Sequence, residues 1–391
     1  MTHSFQPIFP PDCLGILGGG QLGRFFVQAA QDLGFTVCVL DPDSQSPAAQ
    51  ISHHRIIADY LDEKSLEKMA HLCSAVSTEF ENVPALALDF LHQQGVYVAP
   101  LSNAVSIAQD RFAEKAFLSK LAAKTGIEPV PYAMIANEQD LWALPTHFFP
   151  GILKTARLGY DGKGQLVVAS QADLKNAWIS LGSVPCVLEK KMPLALEVSA
   201  IVTRGFDDHV AIFPLAENVH KDGILHLSIV PARSLSPEAM VQIDKAAKFI
   251  VHELQYVGVL CIEFFILTDG TVVANEIAPR PHNSGHHTLD SCLTSQFEQQ
   301  VRALARLPLG DTKLISPVIM LNLLGDVWLR FENSPPWDRI LEMPSARLHL
   351  YGKHAAKVGR KMGHINFLAD SIDLAMQDAQ QAMQILGIVA D

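Results

Sequence analysis

A chain of 391 residues with 49% apolar and 18% charged residues buries a large core and predicts roughly two to three domains. Its formal charge of -11, with no Lys/Arg run, argues against a nucleic-acid partner, so any phosphate it handles must meet locally placed cations. The six cysteines show no Cys-x-x-Cys spacing, no basic leader precedes an apolar stretch, and no apolar run approaches the ~20 residues of a membrane span, which predicts reduced thiols, a cytoplasmic location and no membrane contact.

In chain order, Cys13–Leu17 reads as a short apolar strand, followed by Gly18-Gly19-Gly20-Gln21-Leu22-Gly23. A helical pattern from Arg24 to Leu33 and the strand Thr36–Asp41 come next. This βαβ unit carries Gly-x-Gly-x-x-Gly at its turn and an acid, Asp41, about twenty residues on, the dinucleotide-binding fingerprint. Further alternation to Val96–Pro100 predicts a parallel sheet covered by helices.

Short strands then dominate, at Ile152–Thr155, Leu166–Ala169, Cys186–Glu189, Val198–Thr203 and Val210–Pro214. Helical patterns at Asp110–Thr125, Gln171–Leu181 and Pro237–Leu254 separate them, so the middle region reads as α+β with a largely antiparallel sheet. Between the first two strands lies Gly159-Tyr160-Asp161-Gly162-Lys163-Gly164-Gln165. Its glycines let backbone N–H groups turn onto a phosphate, and Lys163 adds charge. The spacing is not that of a Walker loop. Its place inside a hairpin predicts a lid over a nucleotide, with a ligand-free mobile turn as the alternative. Lys154, closing the preceding strand, either snorkels to solvent or contacts phosphates. Glu189-Lys190-Lys191-Met192 followed by Glu197 suits a hinge that offers backbone groups to an adenine and a carboxylate to a ribose; on its own, Glu-Lys-Lys reads as a solvated face.

The stretch Glu263 to Glu276 is the most informative. Two apolar runs flank Asp269-Gly270, a strong hairpin signal. A two-residue loop pairs Thr268 with Thr271, Leu267 with Val272, and Glu263 with Glu276. Like charges directly opposed across strands, with Cβ atoms about 5 Å apart, are destabilising, and burying both without a partner costs several kcal/mol more. A divalent cation removes the conflict, and Mg²⁺ on one or two carboxylates usually holds substrate phosphates too. A longer loop would shift the register and turn one Glu to solvent.

Asn275 to Thr288 follows, with prolines on both sides of Arg280 and no apolar period, as a ligand-binding loop would have. The pair His286-His287 invites a zinc reading, but no Cys partners or second spaced His set accompany it. Cations gather at Tyr351–His354 and Gly359–His364, either as a phosphate site or as ordinary surface charge. A helical pattern at Ile372–Leu386 closes the chain.

Taken together, Gly18 to Arg24, Glu79-Phe80-Glu81-Asn82-Val83, Gly159 to Gln165, Glu217-Asn218-Val219-His220, Asn275 to Thr288 and Gly359 to His364 run collinearly over nearly the whole chain. In this combination the chain resembles the 5-(carboxyamino)imidazole ribonucleotide synthetases, ATP-grasp carboxylases of purine synthesis. The resemblance implies an α/β and α+β multidomain architecture. A Rossmann-like parallel domain would span residues 1–110, an ATP-grasp domain with its lid 111–305, and a small C-terminal domain 306–391. It implies that ATP, bicarbonate and 5-aminoimidazole ribonucleotide give the N5-carbamate, ADP and phosphate through carboxyphosphate, with Mg²⁺ (or Mn²⁺) and a homodimeric enzyme.

By motif position, Glu263 and Glu276 would ligate the metal. Arg111, Lys154 and the lid residues Gly159, Tyr160, Asp161, Gly162, Lys163, Gly164 and Gln165 would hold the triphosphate, with Asn275 alongside Glu276. Glu189, Lys190, Lys191 and Met192 would line the adenine, with Glu197 on the ribose and His220 nearby. Gln21, Leu22, Glu79, Asn283, Lys353, Arg360 and Lys361 would hold the ribonucleotide. Arg280, His282, Tyr160 and Asp161 would face the reacting carboxyphosphate. Leu158 departs from the family's usual Gly before the lid, and Phe25 from its usual Met. Two other enzyme readings compete, a nicotinamide dehydrogenase on the Gly18–Asp41 spacing and a sister ATP-grasp enzyme acting on glycinamide ribonucleotide. A third reading is a nucleotide-binding regulator without chemistry.

Overall fold

Cys13–Leu17 is the central strand of a five-stranded parallel sheet because its Leu14, Ile16 and Leu17 are covered on both faces. The computed structural model describes residues 6–159 and 164–389. Across the sheet the order is His54–Ile56, Thr36–Leu40, Cys13–Leu17, Ala75–Thr78 and Tyr97–Val98, all parallel. Strand order reverses on the two sides of Cys13–Leu17, and in such sheets the crevice beyond the carboxyl ends is where ligands bind. Gly18, at φ +102°, makes the left-handed turn that leads straight into the helix Gln21–Asp32, which therefore begins ahead of the expected Arg24.

The helix Arg111–Thr125 opens with Asp110 accepting the Phe112 amide. Its buried stripe is Glu114, Lys115, Leu118, Leu121 and Ala122, so two charged residues occupy core positions. A four-stranded antiparallel sheet follows, ordered Tyr132–Ile135, Cys186–Lys190, Gly151–Thr155 and Gln165–Val168. Leu153, Val168 and Leu188 pack there against Leu174 and Trp178 of the helix Gln171–Ser180. The lid loop joins Gly151–Thr155 to Gln165–Val168, the hairpin placement that its glycines suggested.

The rest of the chain builds one large, almost wholly antiparallel sheet. Towards one end of it run Leu194–Arg204, Gly258–Leu267 and Val272–Ala278, and the helix Pro237–Glu253 lies beneath them. That helix starts at Pro237 with Ser236 accepting the Ala239 amide, and it buries Ile243, Ala247 and Ile250 in a core with Ala200, Leu260 and Ile262. Ala216–Lys221 and Ile224–Val230, not anticipated as strands, join this sheet to Val318–Leu324, Lys361–Leu368 and Ala346–Leu350. The C-terminal strands thus extend the sheet of the middle region.

The acidic hairpin keeps its predicted pairing by an unpredicted route. The turn is longer than two residues, so Ile266 pairs with Val272 and Phe264 with Ala274; the expected Leu267–Val272 and Thr268–Thr271 pairs do not form. A register shift then makes Asn275 an extra residue, a β-bulge, and beyond it Glu263 stands opposite Glu276. The longer loop and the bulge cancel.

Candidate active site

A cleft of about 320 Å³ opens between the lid sheet, the acidic hairpin and the loop after it. Of the residues singled out by the sequence, Arg111, Lys154, Gly159, Gln165, Glu189, Lys190, Lys191, Met192, Glu197, His220, Glu263, Asn275, Glu276, Arg280, His282, Asn283 and Lys361 line it. Tyr160, Asp161, Gly162 and Lys163 lie outside the described residues. Gly164 closes the lid's base, its carbonyl accepting from the Thr155 amide at 2.8 Å.

At the acidic pair, Glu276 Oε2 takes Arg111 Nη1 at 3.1 Å, while Glu263 has no Lys or Arg partner among the described residues. Glu263 Oε2 accepts from Asn275 Nδ2 at 3.3 Å and Oε1 lies 3.6 Å from His282 Nε2. The pair is accordingly asymmetric. Burial, and after it the charge of Glu276, pushes the Glu263 carboxyl up to about 7. Burial acts on Glu276 in the same sense, but Arg111 and Lys154 outweigh it and hold that carboxyl below its ordinary value. Burial, reinforced by Arg280, keeps His282 well below the usual imidazole range, so its ring is neutral. Asn275 Oδ1 is buried with no partner among the described residues. Two carboxylates, one of them short of positive charge, and an orphaned amide oxygen form an all-oxygen set that fits a hard divalent cation.

Beside this pair runs a buried charge network. Lys154 Nζ lies 2.6 Å from Glu189 Oε2 and Lys115 Nζ 2.7 Å from Oε1. Burial opposes ionisation of Glu189, yet Lys154 and Lys115 bring its carboxyl down to about 2. Each Glu189 oxygen thus faces a lysine, and the amides of Lys190 and Lys191 donate to the Pro131 and Pro150 carbonyls. At the other end of the hinge, His220 Nδ1 sits 2.7 Å from Glu197 Oε2. In the loop after the hairpin, Arg280 Nε pairs with Glu81 and Nη1 donates to the Pro281 carbonyl at 3.1 Å.

Gln21, Leu22, Glu79, Lys353 and Arg360 stand outside the cleft lining. Contacts connect them to it: Gln21 Nε2 donates to Asn283 Oδ1 at 3.5 Å, and Lys353 Nζ to the Lys361 carbonyl at 2.8 Å. Leu22 packs with Phe25, Phe297 and Tyr351, and Arg360 Nη1 donates to the Ala355 carbonyl. Glu79 faces the glycine turn, accepting the Gly20 amide at 2.6 Å and the Gly23 amide at 2.8 Å. Asp41 accepts the Gly19 amide at 2.7 Å and the Tyr60 hydroxyl at 2.8 Å. The amides and the acid that a dinucleotide would need are therefore spent on one another, which removes the physical basis of the dehydrogenase reading. His286 and His287 sit in the core, His286 stacked on His364 with ring centroids 4.8 Å apart. Among the described residues no group of three or more His, Cys, Asp or Glu is placed to hold a metal, so the zinc reading has no ligand set.

Among the residues not singled out from the sequence are Glu114, which lines the cleft, and Lys115, buried behind it. The signal was present: they fall at i+3 and i+4 from Arg111, on the stripe that Leu118 and Leu121 continue as core.

Family comparisons cover the same ground. Residues 12–109 match the ribonucleotide synthetase preATP-grasp domain, 120–297 the ATP-grasp domain, and 318–378 the phosphoribosylaminoimidazole carboxylase C-terminal domain. An N5-carboxyaminoimidazole ribonucleotide synthase of Brucella melitensis is 46% identical over 359 residues, covering 91% of this chain and 96% of its own. A crystal structure of an N5-carboxyaminoimidazole ribonucleotide synthetase in its ADP complex superposes with a TM-score of 0.89 at 40% identity, covering 98% of this chain and 99% of the other. That of the Aspergillus clavatus synthase with ADP and 5-aminoimidazole ribonucleotide gives a TM-score of 0.85 at 30% identity, covering 97% and 99%. With identity and coverage of this order, and with its cleft built from the acidic hairpin and the lid sheet, the chain belongs to the N5-carboxyaminoimidazole ribonucleotide synthase family of ATP-grasp enzymes.

Proposed function

We propose that the protein carboxylates the exocyclic amine of 5-aminoimidazole ribonucleotide, consuming ATP and bicarbonate and releasing ADP and phosphate. The observation that carries this reading is the Glu263–Glu276 opposition on the cleft wall, with Arg111, Lys154 and Arg280 around it. In the proposed course bicarbonate takes the γ-phosphoryl group to give carboxyphosphate. The amine then attacks its carboxyl carbon and phosphate leaves. Glu263 and Glu276 would hold Mg²⁺ (Mn²⁺ as a substitute), which supplies positive charge to the triphosphate when bound.

The remaining roles belong to the chain itself. Arg111 and Lys154, each already fixed against a carboxylate, present charge to the phosphates without having to order a flexible side chain. The loop Gly159 to Gln165, of which Tyr160, Asp161, Gly162 and Lys163 lie outside the described residues, would act as a lid that keeps water from the mixed anhydride. With the Lys190 and Lys191 amides committed, the adenine would be met by other backbone groups at the end of that stretch, the Met192 amide among them. Glu197, backed by His220, takes the ribose. Arg280, held by Glu81, points charge at the carboxyphosphate, and neutral His282 lies beside it without adding a second cation. Gln21, Leu22, Asn283, Lys353, Arg360 and Lys361 would receive the ribonucleotide, with Glu79 shaping the glycine turn next to it.

Further parts of this reading are a homodimer, a cytoplasmic location, and a division into units 1–110, 111–305 and 306–391. The change from an all-parallel sheet to antiparallel ones after Val98 supports the first boundary. Among the described residues no helix is long and apolar enough to cross a membrane. The test is phosphate release from ATP with Mg²⁺, expected only when bicarbonate and 5-aminoimidazole ribonucleotide are both present. Equal release with glycinamide ribonucleotide and formate overturns the substrate assignment.

A further inference from the structure

The bulge that brings Glu276 opposite Glu263 leaves backbone groups without ladder partners. Successive carbonyls of a regular strand point to opposite edges, yet those of Ala274 and Asn275 both accept from outside the hairpin. The donors are the Val130 amide at 2.9 Å and Lys115 Nζ at 2.7 Å. The neighbouring strand Glu128–Pro129 pairs with Val273 and Ala274 and goes no further. Past its end, two side chains from the first turns of the helix Arg111–Thr125 take over. Lys115 Nζ satisfies the Asn275 carbonyl, and Glu114 Oε1 accepts the Ile277 amide at 2.6 Å. Their two anchor points, residues 275 and 277, flank Glu276. Lys115 is fully buried and lines no part of the cleft, and Glu114 is 2% exposed.

We propose that Glu114 and Lys115 are positioning residues: they clamp the Asn275 bulge and so fix the register in which Glu276 faces Glu263. The inference rests on the reading of that pair as the metal ligands. A slip of one residue turns a strand side chain to the opposite face, so a bulge left unclamped has a disproportionate effect on Glu276. Lys115 reaches further through its second contact. It lies 2.7 Å from Glu189, whose other oxygen holds Lys154 at 2.6 Å, so one buried ammonium sets both the metal hairpin and the lysine aimed at the phosphates.

The experiment is a Mn²⁺ titration in the presence of ADP, followed by electron paramagnetic resonance, on the wild type and on Lys115→Met, Glu114→Ala and Glu114→Gln. Lys115→Met and Glu114→Ala are expected to weaken Mn²⁺ binding by about 10- to 100-fold, as loss of groups that orient metal ligands does. Glu114→Gln keeps a carbonyl acceptor for the Ile277 amide and is expected to stay near wild-type affinity. A merely structural role lowers the melting temperature without moving the affinity of the folded protein. Folded Lys115→Met that binds Mn²⁺ like the wild type overturns the clamp, and so does equal weakening by Glu114→Gln and Glu114→Ala. If Lys115→Met does not fold, the two Glu114 variants decide. A wild type that binds no Mn²⁺ with ADP overturns the metal reading itself, and the clamp with it.

Discussion

Glu263→Gln isolates the charge conflict on which the site is built. The substitution keeps the side chain's shape and an acceptor for Asn275 Nδ2, and removes one negative charge. Glu263 titrates at about 7 in the fold against an ordinary 4.5, with burial the larger cause and Glu276 the next. Below about pH 4.5 its carboxyl is protonated in both the folded and unfolded chain and costs nothing. As pH rises towards 7 the unfolded chain ionises while the fold keeps its proton, so stability falls, and above 7 the whole penalty is present. The difference, about 7 minus 4.5, is worth roughly 3 kcal/mol at about 1.4 kcal/mol per pH unit. Glutamine carries no such penalty. Glu114, also raised to about 7, is common to both proteins and cancels. The stability of the variant relative to wild type, in the absence of divalent cations, should therefore rise by roughly 3 kcal/mol between about pH 4.5 and pH 8. Native-state hydrogen exchange of the Gly258–Leu267 amides reads this locally, without assuming that a chain of this size unfolds in one step. At about pH 8 with Mg²⁺ and ADP the order should reverse, because only the wild type gains the binding free energy. A variant less stable than wild type near pH 8, or a difference that does not change with pH, would refute the reasoning.

Two further perturbations test neighbouring features. Glu276→Gln should abolish phosphate release yet leave the melting temperature within a few degrees of wild type, since Arg111 loses its partner while Glu263 loses its repulsion; a large drop in that temperature would assign Glu276 a structural role instead. Leu158, at φ +63° and 72% exposed, occupies a left-handed conformation at the start of the Gly-rich loop. That conformation costs roughly 1–2 kcal/mol for an L-residue, and the flexibility of glycine gives back roughly 0.5–1 kcal/mol of it. Leu158→Gly should accordingly be neutral to slightly stabilising in a thermal melt, and a loss above about 1 kcal/mol would mean that Leu158 packs against something.

Local chemistry determined much of this protein from its sequence. The strand, glycine turn and helix from Cys13 to Asp32 follow from an apolar run, a position needing φ +102° and a 3.6-residue period, all within a few residues of one another. The lid hairpin and the Asp269-Gly270 turn were legible for the same reason. Non-local pairing decided the rest. The glycine turn reads as a dinucleotide site until Asp41 and Glu79, brought in from neighbouring strands, take its amides. Ala216–Lys221 carries too many polar residues to announce itself, whereas the mostly apolar Ile224–Val230 did offer a strand signal; both are strands with partners on both sides. The opposition of Glu263 and Glu276 depended on a loop longer than the turn signal implied and on a bulge at Asn275 that compensates it. That bulge is held by side chains about 160 residues away along the chain, at Glu114 and Lys115. Sequence fixes which groups a segment can offer. Which of them remain unsatisfied, and so available for a ligand, is settled only when distant segments have met.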